Sequence, residues 1–123
     1  MRVISTDKAP KAIGPYSQAI EANGFIYVSG QIPVNPTTGL VDGKTIEEQA
    51  NQCFKNIGEI LKDAGSSFDD VVKATVFVKY IKDFSIINEI YAKYFVSKPA
   101  RSLVEVSNLP KGVLIETEVI ACK

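Results

Sequence analysis

The sequence predicts an α/β (α+β) domain: a single mixed sheet with two helices on one face. Three observations carry this expectation. Strand-like alternation and helical periodicity follow one another in the order strands, helix, strand, helix, two strands. The 123 residues suffice for one compact domain with a core and are too few for two, so residues 1–123 read as one domain. Two helices are enough to cover one face of one sheet, which leaves its other face to be explained.

Arg2 to Thr6 read as a short first strand, followed by a loop from Ala9 to Tyr16 stiffened by Pro10 and Pro15. Ser17–Ala22 and Phe25–Ser29 are strand-like runs separated by Asn23-Gly24, the dipeptide best suited to a two-residue hairpin turn. Gly30 to Gly39 is a loop punctuated by proline and glycine, of a length that is either a plain connection or functional. Thr45-Ile46-Glu47-Glu48 is a capping box, with threonine at the N-cap and glutamate three residues on. Ile46, Ala50, Cys53, Ile57, Ile60, Leu61 and Ala64 then recur at the spacing of one helical face, and Gly65 is placed to stop the helix. Gly58 sits inside that helix at a cost of about 1 kcal/mol relative to alanine, which close approach of a neighbouring backbone would explain.

Val71 to Tyr80 is the most strand-like run, with Val72, Ala74, Val76 and Val78 on one side and Lys73, Thr75, Phe77 and Lys79 on the other. A second helix is expected from Asp83, carrying Phe84, Ile87, Ile90, Tyr91, Tyr94 and Phe95 inward and ended by Pro99. A strand follows at Arg101–Val106, then a turn at Asn108–Gly112 and a last strand at Val113–Ala121. Side-chain parity assigns Ile26, Val28, Val72, Val76, Val104, Val106, Ile115 and Val119 to the helix-covered face. It assigns Phe25, Tyr27, Ser29, Lys73, Thr75, Phe77, Arg101, Leu103, Glu105, Leu114, Glu116 and Glu118 to the other, bringing Arg101 and Glu116 together. That second face is too apolar for water and too charged for a sealed core, a mixture best explained by packing against other subunits.

Composition excludes several classes. Fourteen basic residues balance fourteen acidic ones, so no charge excess draws the chain to nucleic acid or an anionic membrane. No apolar run is long enough to span a bilayer and Met1-Arg2-Val3 does not open a signal peptide, which makes the cytoplasm the expected location. There is no histidine, which removes Ser-His-Asp and Cys-His catalysis and most zinc chemistry. Cys53 and Cys122 fit no metal spacing, and Cys53 reads as a small buried hydrophobe. No glycine-rich phosphate loop is present. Any chemistry must come from carboxylates, arginine, tyrosine, hydroxyls, backbone groups and water.

Arg101, near the start of a strand and flanked by apolar residues, supports two readings. It is a surface partner of a nearby carboxylate, the simpler reading of this segment alone, or it is a fork held at a pocket mouth to grip a carboxylate at two points. The motifs around it bear on the choice. Ile13-Gly14-Pro15-Tyr16-Ser17-Gln18, Ser29-Gly30-Gln31-Ile32-Pro33, Pro99-Ala100-Arg101-Ser102 with Val104-Glu105-Val106, Leu109-Pro110-Lys111 and Ile115-Glu116-Thr117-Glu118 occur in one order over essentially the whole chain. In this combination the sequence resembles the RidA (YjgF) family of enamine/imine deaminases.

The resemblance implies a chorismate-mutase-like fold and a homotrimer with sites at subunit interfaces. It implies hydrolytic deamination of reactive 2-aminoacrylate- and 2-aminocrotonate-type enamines and imines to 2-keto acids and ammonia: a 2-iminobutanoate/2-iminopropanoate deaminase with no metal or organic cofactor. The substrates are small 2-imino or enamino acids released by pyridoxal-phosphate dehydratases, a functional link rather than a nucleic-acid or membrane partnership. By the same resemblance Arg101 binds the substrate carboxylate, assisted by the Gly30 N–H. Tyr16 and Ser29 are pocket residues, and Glu116 holds and activates the attacking water. Many members carry cysteine where this chain has Leu103. That removes a thiol role there and leaves the backbone carbonyl to position water.

Without the resemblance, Glu116 is more simply a partner of Lys73, Tyr16 a packing residue and Ser29 a strand-end cap. A rival function uses the same pocket: a keto-acid-binding regulatory or interaction protein. A ribonuclease reading, an activity also attributed to relatives, is disfavoured by neutrality, the lack of histidine and the lack of a basic stripe.

Overall fold

The computed structural model describes residues 1–123. Six strands, β1 (Arg2–Ile4), β2 (Ala19–Ala22), β3 (Phe25–Gln31), β4 (Val71–Val78), β5 (Ala100–Glu105) and β6 (Ile115–Cys122), form one sheet in the order β1-β2-β3-β6-β4-β5. All neighbours are antiparallel except β4 and β5, which run parallel and are joined through a helix. The helices are α1 (Ile46–Asp63) and α2 (Phe84–Tyr94). The single mixed sheet with two helices is therefore the fold that the alternation implied.

Local chemistry sets several boundaries as expected. Asn23 and Gly24 both adopt positive φ, 52° and 80°, and close the β2–β3 hairpin with Ala22 opposite Phe25. Thr45 accepts from the Glu48 N–H while Glu48 reaches back to the Thr45 N–H, completing the capping box. Gly65, at φ 79°, follows the last turn of α1. Every residue of the anticipated α1 stripe is buried, together with Phe54, which that stripe omitted. Phe54 lies edge-on to Tyr91 and Phe95 of the α2 segment, at centroid separations of 5.9 and 5.4 Å. Gly58 has no backbone against it; the ring of Phe68 fills the space, 2.9 Å from where a Cβ would stand.

Other expectations need correction. An extra residue in β4 between the pairs Val71–Ala121 and Lys73–Ile120 reverses the phase at the strand's start. Val71 is buried and Val72 is exposed, so the covered set is Val71, Ala74, Val76 and Val78. Phe84, expected inward, is exposed. Pro99 does not end α2: the helix stops at Tyr94, and Lys98 takes a φ of 56° ahead of the proline. Leu114 precedes β6 rather than lining the open face.

The largest correction concerns β5. Arg101 pairs with Ala74, Leu103 with Val76 and Glu105 with Val78, so these three share the helix-covered face. Ser102 and Val104 lie opposite Thr75 and Phe77 on the open face. Val104 accordingly is exposed and Leu103 packs partly against the core. Arg101 and Glu116 are thus on opposite faces of the sheet.

At the far edge of the sheet, Glu21 Oε1 accepts from Arg2 Nη2 at 2.8 Å and from Lys123 Nζ at 3.1 Å. The Lys123 N–H also donates to the Gly24 carbonyl.

Candidate active site

Glu116 stands on the open face of β6, directly across from Phe77. Beside it, β3 bulges: Val28 pairs with Val119 and Gln31 with Thr117, leaving Ser29 and Gly30 opposite Glu118 alone. The bulge presses Gly30 against Glu116, so that a Cβ on Gly30 would lie 3.1 Å from the Glu116 carboxyl carbon. A side chain there would have to push the Glu116 carboxyl aside by a few tenths of an ångström. Gly30 and Gln31 belong to β3, which therefore runs two residues further than its alternation indicated.

Residues of α1 hold this bulge from behind. The Cys53 thiol donates to the Gln31 carbonyl at 3.0 Å, and Asn56 Nδ2 donates to the Ile32 and Val34 carbonyls at 3.2 and 2.9 Å. Burial pushes the Cys53 pKa up to about 12, which keeps the sulfur protonated as that donor. Gln49, one turn earlier, accepts from the Leu114 N–H at 2.7 Å and so fixes the approach to β6. Ser29 Oγ donates to the Ser17 carbonyl at 2.6 Å, tying the bulge to the chain entering β2. Its position is that of a brace.

Partial burial, with the like charge of Glu118 adding to it, raises the Glu116 pKa above the ordinary carboxylate value. No cation offsets this. Lys73, its simplest partner, turns its ammonium to the Ala74 carbonyl, Thr75 Oγ1 and Ser102 Oγ at 3.4–3.5 Å. The chain's ion pairs are those at Glu21. An unpaired carboxyl with a raised pKa is suited to accept and return a proton.

Arg101 is equally without a carboxylate. Its Nη1 donates to Asn88 Oδ1 at 2.7 Å, and its guanidinium carbon lies 4.8 Å from the centroid of Tyr91 and 5.8 Å from that of Phe84. It borders a cleft of about 630 Å³ with Asn88, Tyr91, Lys98 and Pro99. Tyr16 is half exposed on a loop where Gly14 has a φ of 131°, and lines a separate cleft of about 730 Å³ with Ile13, Ile32 and Pro36. One chain thus brings together Gly30 and Glu116, with Ser29 in the same bulge, and leaves Arg101 and Leu103 on the other side of the sheet. No three His, Cys, Asp or Glu side chains converge as a metal-ligand set.

The residues missed by sequence reading are Asn88, with Phe84 and Tyr91 around Arg101, and Asn56 behind the bulge. Their one sequence signal is a polar residue among the apolar residues of a helix: Asn88 beside Ile87 and Ile90, Asn56 beside Ile57.

The sequence profile of the Endoribonuclease L-PSP family matches residues 6–123. The human 2-iminobutanoate/2-iminopropanoate deaminase is 53% identical over 121 residues, covering 98% of this chain and 88% of the human one. The chain belongs to the RidA (YjgF) family. A RutC family protein of Pyrococcus abyssi is 57% identical, with 98% of this chain and 96% of that protein covered. A putative regulator, AldR, of Lactococcus lactis is 56% identical, with 98% and 97% covered. Among solved structures, that of the E. coli YjgF gene product superposes with a TM-score of 0.95 at 46% identity, covering 100% of this chain and 99% of that one. The α+β architecture is that of this RidA-family structure. No helix is long and apolar enough to cross a membrane.

Proposed function

We propose that this RidA-family chain hydrolyses small 2-imino and 2-enamino acids, of the 2-aminoacrylate and 2-aminocrotonate type, to 2-keto acids and ammonia. The observation that carries the reading is an unpaired pair of groups: Glu116 has no cation and Arg101 has no anion, although both are partly buried. An anionic substrate that needs a proton carrier matches both vacancies. Because the two lie on opposite faces of the sheet, the reading requires a second copy: Arg101 of one subunit and the Glu116–Gly30 wall of its neighbour. A homotrimer closed in this way would cover the exposed Phe25, Tyr27 and Val104 of the open face.

In the proposed reaction the carboxylate of Glu116 takes a proton from water as the water oxygen bonds to the carbon of the protonated imine and the C=N π electrons pass to nitrogen. The neutral carbinolamine so formed receives that proton at nitrogen, the C–N bond breaks, and the hydroxyl proton passes through the Glu116 carboxylate to the departing ammonia as C=O forms. An enamine first takes a proton at carbon to become the imine. No oxidation state changes, and one carboxyl group serves each of these proton transfers. Arg101 holds the substrate carboxylate, Gly30 N–H assists it, the Leu103 carbonyl orients water and Tyr16 closes over the ligand. Spontaneous hydrolysis already proceeds, so positioning with acid–base help suffices.

The test mixes the protein with a pyridoxal-phosphate serine or threonine dehydratase and follows release of pyruvate or 2-ketobutyrate. Acceleration is expected. No acceleration favours the second reading, a keto-acid-binding regulator, to which the 56% identity with AldR lends weight.

A further inference from the structure

We propose that Asn88 is the positioning residue that aims Arg101 at the substrate and keeps its charge available, an inference that rests on the carboxylate-binding role given to Arg101 above. Phe84, Asn88 and Tyr91 recur at i, i+4 and i+7 and so form one ridge of α2. That ridge lies along Arg101. The Tyr91 and Phe84 rings supply faces at 4.8 and 5.8 Å from the guanidinium carbon, and Asn88 Oδ1 supplies one acceptor at 2.7 Å. Asn88 engages Nη1 alone. Nε–H and Nη2–H have no acceptor in the chain, and they form the edge of the guanidinium that grips a carboxylate at two points.

The choice of amide matters. An aspartate at this position would hold Nη1 at least as firmly, but as an anion it would neutralise the guanidinium and compete with any incoming carboxylate. A neutral acceptor fixes the plane and spares the charge. The Tyr91 hydroxyl is buried without a hydrogen-bond partner, so the ring is placed for its face rather than its polar tip. No carboxylate makes an ion pair with Arg101 from α2, β4 or the 96–99 segment.

The test titrates 2-ketobutyrate and its neutral amide into wild type, Asn88→Ala, Asn88→Asp and Arg101→Ala, with steady-state kinetics on the same samples. We expect both Asn88 variants to weaken 2-ketobutyrate binding and raise KM about tenfold or more. Saturating turnover should stay within a few-fold, and binding of the neutral amide should be nearly unchanged in Asn88→Asp. A purely structural role gives the opposite pattern, because Asn88→Asp keeps size and acceptor and would then bind 2-ketobutyrate as wild type does. That result, with binding lost in Arg101→Ala, overturns the role of Asn88 alone. Wild-type binding of 2-ketobutyrate by Arg101→Ala overturns the carboxylate site itself and the positioning role with it. If Asn88→Ala fails to fold, the near-isosteric Asn88→Asp still decides.

Discussion

Replacing Glu116 with glutamine removes a titrating group while keeping shape, so rate and stability should move in opposite directions. For the rate, a single carboxyl carrying protons in both steps contributes about 10²–10⁴-fold. That range corresponds to roughly 2.7–5.5 kcal/mol of barrier at about 1.36 kcal/mol per decade. Stability follows from linkage. The folded-state pKa of Glu116 lies above its ordinary value, because burial and Glu118 oppose ionisation. The native state therefore binds this proton more tightly than the unfolded state, and stability falls as pH rises from the ordinary glutamate pKa through the raised one. Glutamine carries no such penalty. The variant should melt higher than wild type at neutral pH, and this advantage should vanish once pH falls below the ordinary glutamate value. The assay is dehydratase-coupled turnover beside thermal melts at several pH values. Near-wild-type turnover, or a melting advantage that grows towards acid, would refute the reasoning.

Arg101→Lys keeps charge but loses the fork, and should lose turnover by two or more powers of ten, at about 1.5–3 kcal/mol per charge-assisted hydrogen bond. Circular dichroism and sizing should remain as in wild type, and efficient turnover by the lysine variant would remove two-point recognition. Mixing subunits of Arg101→Ala with Glu116→Gln, each inactive alone, should restore about a quarter of the sites if Arg101 and Glu116 come from neighbouring copies. A mixture that stays inactive after verified exchange would place both groups in one chain. Gly30→Ala should displace the Glu116 carboxyl by a few tenths of an ångström, given the 3.1 Å approach. It should lower turnover by about tenfold or more, since small misplacements of a reacting group are costly; unchanged turnover would detach the bulge from the chemistry.

What was legible in the sequence was what nearest neighbours decide. Asn23-Gly24 forms its turn because two residues in series must accept positive φ, and the Thr45–Glu48 box closes within one helical turn. The buried stripe of α1 follows from periodicity alone. The phase of β5 was not legible, because Leu103 stands on one parity and Val104 and Val106 on the other, and only the parallel pairing with β4 chooses between them. Val72 misled for a related reason: the bulge that turns it outward is defined by a partner strand more than forty residues away. Gly58 signals that something lies close, but not that it is the ring of Phe68. Of the candidate site, Glu116 and Gly30 are adjacent for reasons of sheet order. The shelf beneath Arg101 is a tertiary contact between α2 and β5, of which the sequence shows only an asparagine in an apolar helix.

The meeting of Arg2 and Lys123 on one carboxylate of Glu21 bears on how the molecule can be handled. The amino-terminal end opens β1, with four strands between it and β5, whereas Lys123 follows β6, which β4 alone separates from β5. An affinity tag or fluorophore on the amino-terminal end therefore sits remote from the strand that carries Arg101. The same closeness suits circular permutation: a short linker joins the old ends, and new ends open in the exposed Thr37–Thr38 turn. The linker would replace an electrostatic clasp with a covalent one, and the order of strands in the sheet would stay as it is.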